Sequence, residues 1–329
     1  MVEAIFFSSF RAGMIIPNFM RMINIYCNDN TQSRFFLTDY LLESGFTKFI
    51  TMGKGKVLIN VALTGMVPTK EITSFVPITP EEIVQDAVRC AKAGANIVHI
   101  HARDGEGRPT WKKEVYEKII AGIREKDPEI IITVSTTGRN WSEFEKRSEV
   151  LEIKGDLKPD MATLTMGSLN FINTASMNSP EMIERLANKM QGNGIKPEFE
   201  IFEPGMIHKA NFLLERKMIN DEKPYFNIFF GNLGTAPLDS ANVASMLALI
   251  PRNGHWAFAG LGRYQLDANI LALGLGGSIR TGIEDNMFLD QEKKVLASNL
   301  GLVERVRRIM SEMNLDTYSN KEARALIGL

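Results

Sequence analysis

The chain has 329 residues, of which 44% are hydrophobic and 23% are charged, as expected for a globular protein with one large or two ordinary domains. Its 38 basic and 39 acidic residues leave a net charge of −1, which argues against a nucleic-acid or anionic-lipid partner. With only two cysteines and no apolar run long enough to span a membrane, we expect a cytoplasmic protein without a disulfide framework or a membrane partner.

Aromatic residues are concentrated in the first part of the chain, where residues 1–51 contain ten of them and the remaining residues contain eighteen. Glu3, Arg11 and Pro17 interrupt the apolar stretches there, which argues against an export signal. We therefore divide the chain into an N-terminal extension over 1–55 and a catalytic domain over 56–329. The extension either packs on the outside of the domain or is upstream sequence translated in error, and we expect it to be dispensable.

From residue 57 onward, eight segments of strand length alternate with eight helical segments. The first helix has a clear start, because Thr79 suits the N-cap, Pro80 suits the first helical position, and Glu81 and Glu82 place negative charge in the first turn. The predicted strands cover 57–63, 96–101, 130–135, 161–164, 197–202, 225–230, 255–259 and 278–281, and the predicted helices cover 80–93, 112–126, 141–153, 180–190, 206–217, 239–250, 266–275 and 291–310.

Eight strand–helix units in succession are typical of a (β/α)8 TIM barrel, an α/β fold with a closed parallel sheet. The alternative is an open doubly wound sheet, which usually has fewer strands and begins with a glycine-rich phosphate-binding turn. The first turn of this chain, Thr64-Gly65-Met66-Val67-Pro68, lacks that glycine spacing. The sequence therefore favours the barrel, and its catalytic residues are expected at the C-terminal ends of the strands.

Two of the four histidines lie at the end of the second predicted strand. His99 and His101 point to the same side because side chains alternate along a strand, and two imidazoles on one face can bind one metal ion. Glu284 follows the eighth strand, which lies beside the first in a closed barrel, so its carboxylate can reach the same metal. Two histidines, one carboxylate and an open position are typical of catalytic zinc. Capping of the last helix is the competing interpretation for Glu284 and Asp285.

Other predicted strand ends are also polar. Ser135 and Gly138 lie at the end of the third strand, where hydroxyl and backbone N–H groups can bind an anion. Thr163 lies near the end of the fourth strand. Glu198 and Glu200 share one face of the fifth strand, and acids inside a barrel are costly unless they are paired or catalytic. The competing interpretation is that one of these two acids faces a helix end or solvent.

Six short motifs occur together and in a fixed order at these strand ends. From about residue 56 to the C-terminus, they make the sequence resemble the β-keto acid cleavage enzymes, whereas the first fifty-odd residues have no counterpart in that family. The motifs are Val76-Pro77-Ile78-Thr79-Pro80-Glu81-Glu82, His99-Ile100-His101-Ala102-Arg103, Ser135-Thr136-Thr137-Gly138, Met161-Ala162-Thr163-Leu164, Gly260-Leu261-Gly262-Arg263 and Arg280-Thr281-Gly282-Ile283-Glu284-Asp285-Asn286.

The resemblance implies a zinc-dependent (β/α)8 barrel that condenses a β-keto acid with acetyl-CoA, its co-substrate, to give acetoacetate and a new acyl-CoA. Matching the motifs makes His99, His101 and Glu284 the zinc ligands. It also makes Asp285 the general base, in a dyad with Arg280. The family resemblance further implies a homotetramer.

The remaining site residues also follow from the resemblance. Glu200 matches a further acid of the active site, and Ser135, Gly138 and Thr163 match residues that hold the substrate carboxylate and keto group. In family members that act on an amino substrate, an acid on the loop after strand one pairs with the amino group. The matching position in this sequence is Val67.

Val67 determines what we expect of the substrate. A valine cannot balance an ammonium group, and burying that charge without a partner is expensive, so we predict poor activity on 3-keto-5-aminohexanoate. Lys70, if it turned inward, would suit a second carboxylate, but a lysine is usually solvated. The sequence therefore ranks β-keto acids with neutral side chains first and β-keto diacids second.

Two other functions remain open on the sequence. One is another metal-dependent TIM-barrel lyase, aldolase or hydrolase, although a hydrolase of this kind usually has more metal-binding histidines than the four available here. The other is a binding module without enzymatic activity.

Overall fold

The computed structural model describes residues 55–329, so the predicted extension over 1–55 lies outside the described part except for its last residue. Eight parallel strands close into a barrel in which each strand pairs with the next along the chain and the eighth pairs with the first. The predicted (β/α)8 fold is thus confirmed. The strands are β1 Ile59–Ala62, β2 Ile97–Ile100, β3 Ile131–Val134, β4 Met161–Thr165, β5 Lys196–Ile201, β6 Tyr225–Phe230, β7 His255–Gly260 and β8 Ser278–Thr281.

A helix follows each barrel strand, as predicted. Thr79 caps the first helix, and its side chain forms a reciprocal capping box with Glu82. Ser179, Asp239 and Ser298 cap three of the later helices with their side-chain oxygens. The eight helices are α1 Pro80–Lys92, α2 Lys113–Lys126, α3 Phe144–Ser148, α4 Pro180–Gly192, α5 Pro204–Glu215, α6 Ser240–Leu249, α7 Gln265–Gly274 and α8 Asn299–Glu312.

The third and eighth helices are shorter than predicted. The segment predicted over 141–153 forms only α3 and the 3₁₀ turn Glu149–Glu152, while Arg147 turns inward and donates to the carbonyl of Thr136. The segment predicted from residue 291 becomes helical only at residue 299. The carboxylate of Asp290 accepts the backbone N–H groups of Lys294 and Val295, and these bonds hold a turn in place of a helix.

The N-terminal end of the barrel differs from the prediction for the first strand. Lys56–Val57 pairs with Asp316–Thr317 outside the barrel, and the barrel strand begins at Ile59. A ninth helix, α9 Asn320–Ile327, was not predicted, and it buries Ala323 and Ile327 against the end of the barrel. The barrel residues in this cluster are Leu58, Ile97, Ile131, Met161, Tyr225 and Ala257. The helix therefore closes the end of the barrel that lies opposite the predicted site.

Short antiparallel strand pairs extend the loops at the C-terminal end of the barrel. Ala102–Arg103 pairs with Pro109–Thr110 after β2, and Leu169–Asn170 pairs with Ala175–Ser176 after β4. Backbone pairing of this kind gives these loops a defined shape above the strand ends. Within the part of the chain that the structure describes, no helix combines the length and apolarity needed to cross a membrane.

Candidate active site

The paired histidines and Glu284 meet at the C-terminal end of the barrel. His99 is in β2 and His101 follows it, both side chains are buried, and their ring centroids lie 5.0 Å apart. The Glu284 carboxylate places Oε2 at 3.4 Å from His99 Nε2 and Oε1 at 3.3 Å from His101 Nε2. One donor atom from each residue lies within 4.8 Å of the others, and among residues 55–329 no other group of three His, Cys, Asp or Glu meets this spacing.

Two glycines allow Glu284 to reach the histidines. Gly65 has φ +66°, and a Cβ atom there would lie only 2.6 Å from Glu284 Cγ. Gly282 has φ +139°, and a Cβ atom there would collide with the carbonyl oxygen of Ala62. Both conformations disfavour any residue with a side chain, so glycine at these positions lets the loops after β1 and β8 come together.

The histidine–carboxylate cluster fits a metal ion. Both ring nitrogens of His99 and Oε2 of Glu284 are buried without a hydrogen-bond partner, which is costly unless another group satisfies them. Burial lowers the pKa of His99 well below its usual range and favours the neutral imidazole that ligates metals. Burial opposes ionisation of Glu284, but His101, His99 and Arg280 hold its pKa well below the usual range. Two imidazoles and a carboxylate form a donor set that binds divalent transition-metal ions.

Arg280 joins the candidate metal site, through Glu284, to two further acids. Its side chain is fully buried, with Nε at 2.9 Å from Asp285 Oδ2 and Nη2 at 3.1 Å from Glu284 Oε1. Nη2 also lies 3.2 Å from Asp285 Oδ1, so the contact with Asp285 is bidentate. Glu200 Oε1 lies 4.0 Å from Nη1, and Glu200 Oε2 accepts from the Thr165 hydroxyl at 2.6 Å. The predicted Arg280–Asp285 dyad is therefore present as a geometric pair beside Glu200.

Burial raises the pKa values of two of these acids. Desolvation raises the pKa of Asp285, although Arg280 partly offsets it. Desolvation likewise raises the pKa of Glu200, against the opposing effect of Arg280. Carboxylates with raised pKa values are better proton acceptors than exposed ones, so the arrangement suits general-base chemistry.

Glu198 lies deeper in the barrel than Glu200 and is fully buried. Both acids therefore lie inside the barrel, and neither faces a helix end. Oε1 of Glu198 accepts from Asn60 Nδ2 at 2.8 Å and also from Asn227 Nδ2. Burial, opposed by Arg280, raises the pKa of Glu198 to about 8. Its Oε2 lies 4.0 Å from His99 Nδ1, so this carboxyl forms the floor beneath the metal-binding cluster.

Replacing Glu198 tests whether this floor supports the fold. Glu198→Leu leaves two buried amides without an acceptor, so we expect the free energy of unfolding to fall by about 2–5 kcal/mol. Glu198→Gln keeps an acceptor oxygen for both amides and should stay within about 1 kcal/mol of the wild type. Urea denaturation measures both changes. Equal stability of the leucine variant and the wild type would contradict this role.

A cavity that is open to solvent lies over the cluster. Most of the residues predicted for the site line this cavity. Three predicted residues do not: His99, Gly138 and Thr163. The predicted residues in its wall are Val67, His101, Ser135, Glu200, Arg280, Glu284 and Asp285. The cavity therefore gives a small molecule access to the metal-binding cluster and to the acids around Arg280.

A family model for the β-keto acid cleavage enzymes matches residues 56–329. The chain belongs to the β-keto acid cleavage enzyme family. A 3-keto-5-aminohexanoate cleavage enzyme from Fusobacterium nucleatum is 37% identical over 277 residues, which cover 83% of this chain and 98% of that protein. A 3-oxoadipate:acetyl-CoA acetyltransferase from Cupriavidus necator is 36% identical over 276 residues, which cover 83% of this chain and 94% of that protein.

Solved structures support the fold. The complex of ObcA with oxaloacetate superimposes with a TM-score of 0.68 at 20% sequence identity, covering 78% of this chain and 67% of ObcA. The family resemblance that the strand-end motifs predict is thus confirmed by the family model and by the curated relatives.

In this family member, Thr163 and Gly138 lie behind the wall of the cavity. Thr163 Oγ1 accepts the backbone N–H of Thr136 at 3.1 Å, and its carbonyl accepts the Thr136 hydroxyl at 2.6 Å. A Cβ atom on Gly138 would collide with the carbonyl oxygen of Met177. Both residues therefore fix the course of the chain after β3, which presents the hydroxyl of Ser135 to the cavity.

The loop after β1 is held in place by the family motif that contains the histidines. Arg103 is buried and donates to the carbonyls of Gly65 at 2.7 Å and Pro68 at 3.0 Å. Val67 stands at the mouth of the cavity with 56% of its surface exposed. Lys70 pairs with Glu82 at 2.9 Å, and both side chains are exposed. Lys70 therefore points away from the cavity and does not supply an inward positive charge.

Sequence reasoning missed Arg139 and the aromatic residues that line the cavity. Arg139 follows the Ser135–Gly138 motif directly, and its guanidinium stacks on Phe171. Phe202 directly follows β5, Phe229 is the penultimate residue of β6, and their rings stack with centroids 4.5 Å apart. The sequence did offer signals for these residues. Arg139 is adjacent to a strand-end motif, and both phenylalanines lie at predicted strand ends.

Proposed function

We propose that this protein condenses a β-keto acid with acetyl-CoA to give acetoacetate and a new acyl-CoA. One observation carries the proposal. The Arg280 guanidinium contacts both Glu284, which lies against His99 and His101, and Asp285. The names of the curated relatives, a 3-keto-5-aminohexanoate cleavage enzyme and a 3-oxoadipate:acetyl-CoA acetyltransferase, support the same class of reaction.

We propose zinc as the metal, held by His99, His101 and Glu284. When bound, zinc supplies Lewis-acid polarisation of the substrate ketone and carboxylate. Arg280 keeps Glu284 ionised and oriented through the 3.1 Å contact with Oε1. Ser135 lines the same cavity and offers a hydroxyl donor to the substrate carboxylate.

Atom balance places Asp285 at the proton on C2 of the β-keto acid. Acetoacetate receives the CH₂–COO⁻ unit of the keto acid and the acetyl group of acetyl-CoA. The C2 carbon must therefore form a bond with the thioester carbonyl and lose its bond to C3, and the acyl group of C3 must end on the CoA sulfur. Asp285 accepts the C2 proton and returns it to C2 once the bond to C3 has broken, and the bidentate contact with Arg280 fixes its carboxylate for both transfers. Glu200 is a second buried acid within reach of the same guanidinium.

The test of this function is acetoacetate formation from acetyl-CoA and a panel of β-keto acids. Formation of acetoacetate and of the matching acyl-CoA in equal amounts supports the proposal. Hydrolysis of the thioester without acetoacetate would instead indicate the metal-dependent hydrolase alternative. Aldol cleavage without acetyl-CoA would indicate a lyase.

Ser135→Ala and Thr163→Ala test substrate binding. We expect Ser135→Ala to raise the KM for the β-keto acid by about 10-fold, because it removes one hydrogen bond to a charged group. Thr163→Ala removes the support of the chain after β3 and should weaken binding in the same direction. Steady-state kinetics on both variants measures the change. An unaltered KM in both would mean that these hydroxyls are only structural.

Val67 provides a test of substrate choice. The loop 64–70 carries no acid, so we expect poor activity on 3-keto-5-aminohexanoate. Val67→Glu places a carboxylate at the cavity mouth and should raise kcat/KM for the amino substrate by about 10-fold, while activity on an uncharged β-keto acid stays within about 3-fold. Val67→Gln, which is similar in size but uncharged, is the control. A wild-type preference for the amino substrate would contradict this argument.

A further inference from the structure

Arg139 is a cavity-lining guanidinium without a charged partner among the described residues. Its Cζ atom lies 3.6 Å from the centroid of the Phe171 ring, and its Nε is buried without a hydrogen-bond acceptor. Arg103 and Arg147, which are also buried, each donate to several carbonyl or amide oxygens. Arg280 is paired with carboxylates. Arg139 therefore differs from these three in having its charge turned toward the cavity without an acceptor in the protein.

A row of aromatic rings lies along the cavity wall between Arg139 and Arg280. Phe171 contacts Phe202 edge-on at a centroid distance of 5.9 Å, and Phe202 stacks on Phe229. At the far end of the row, Arg280 Cζ lies 4.9 Å from the centroid of Phe229. The cavity thus has an aromatic stretch of wall with a guanidinium against each end. The charges of Glu284, Glu200 and Asp285 act on both guanidiniums, but only Arg280 forms ion pairs with these acids.

A guanidinium in this position suits one kind of ligand group. Arginine stays charged in proteins and binds carboxylates through two parallel hydrogen bonds. Glu284, Asp285 and Arg139 line the same cavity, so a ligand whose reactive end lies at the two acids can reach Arg139 with its other end. The apolar rings suit methylene groups, and the free guanidinium suits an anion at the end of the chain.

We propose that Arg139 binds a second, distal carboxylate of the substrate, so that the protein selects β-keto diacids over β-keto acids with neutral or cationic side chains. This inference rests on the proposed condensation and names its substrate class. It reverses the substrate ranking made from the loop after β1, which put neutral β-keto acids before diacids. On that loop Lys70 pairs with Glu82, so it offers no partner to the second carboxylate of a diacid. Arg139 supplies the partner from a different loop, and its charge repels an ammonium group.

The first measurement is equilibrium binding by calorimetry, with the zinc-loaded protein and without acetyl-CoA. The two ligands are a β-keto diacid and a neutral β-keto acid of equal chain length. We expect the diacid to bind about 10- to 100-fold more tightly, and we expect Arg139→Met to remove that difference while leaving the neutral ligand within about 3-fold. Arg139→Lys keeps the charge but loses the bidentate geometry, so it should retain part of the preference.

The second measurement is the ratio of kcat/KM for the same two acids with acetyl-CoA. This ratio is insensitive to the fraction of folded protein, because both substrates meet the same enzyme sample. Arg185→Met is the matched control, since the Arg185 guanidinium also stacks on a phenylalanine, Phe144, at 4.0 Å but lies outside the cavity. We expect Arg139→Met to lower the ratio by about 10- to 100-fold and Arg185→Met to leave it unchanged.

The outcomes separate this proposal from the proposed reaction. Preferential binding of the diacid that depends on Arg139, without acetoacetate formation, would support the anion site and reject the condensation. Turnover with no preference for the diacid, or with a preference that survives Arg139→Met, would reject the anion site and retain the condensation. If Arg139→Met raised the KM for acetyl-CoA equally with both acids, the guanidinium would be binding a phosphate of CoA, and the proposal would be wrong.

Discussion

Replacing His99 or His101 by alanine is expected to remove the bound metal and the activity together. Each substitution deletes one of three donor atoms that lie within 4.8 Å of one another. Loss of an outer-shell partner alone typically costs about 10- to 100-fold in metal affinity, so loss of a ligand should cost at least about 100-fold. Acetoacetate formation should fall by about 1,000-fold or more, because Lewis-acid stabilisation contributes several kcal/mol to the reaction barrier.

Metal analysis by mass spectrometry, run beside the activity assay, measures both effects. His208 lies on the exposed side of α5, so His208→Ala is a control that removes a histidine without touching the cluster. A His99→Ala protein that retains one zinc ion per chain would overturn the ligand assignment.

Asp285→Asn is expected to keep the metal but lose most of the turnover. The amide has nearly the same shape as the carboxylate but cannot accept a proton, so kcat should fall by about 100- to 10,000-fold. Glu284 still faces Arg280 at 3.1 Å, so the guanidinium keeps one charged partner and the fold should survive. Pre-steady-state and steady-state kinetics, with zinc content and thermal unfolding measured on the same sample, separate a chemical defect from a structural one.

Asn286→Ala is a neighbouring control for that experiment. Asn286 bonds only within its own loop, where its side chain donates to the carbonyl of Phe288 and accepts that residue's N–H. It should therefore lower kcat far less than Asp285→Asn does. Normal kcat in the Asp285→Asn variant would eliminate Asp285 as the base.

The fold and the meeting of His99, His101 and Glu284 were predictable from the sequence because local patterns determine both. The β-branched runs and helix caps locate most of the strands and helices to within a few residues, as at Thr79 and α1, whereas α3 and α8 are shorter than predicted. Alternation along β2 places His99 and His101 on one side, and closure of the barrel brings β8 next to β1, so Glu284 comes into range. These inferences need only the periodicity of a strand and the order of strands in a closed barrel.

Other features depend on packing between distant segments, which no local pattern reports. Glu198 and Glu200 look equivalent in sequence, yet only Glu198 meets Asn60 and Asn227 from across the barrel. The α9 helix could not be distinguished by its short amphipathic pattern from a surface turn, because its burial depends on the far end of the barrel. From the sequence alone, Arg139 is expected to be a solvated loop arginine. In the structure Phe171, from another loop, packs against its guanidinium at the cavity.

An isotope experiment tests the central claim most directly. The protein is incubated with a β-keto acid and with acetyl-CoA that carries ¹³C in both acetyl carbons, in the presence and absence of a zinc chelator. We expect acetoacetate labelled at C3 and C4 and an equal amount of unlabelled acyl-CoA derived from the keto acid. Chelation should abolish both products, and added zinc should restore them. Labelled acetate without labelled acetoacetate, or product formation that is unaffected by complete removal of the metal, would contradict the claim.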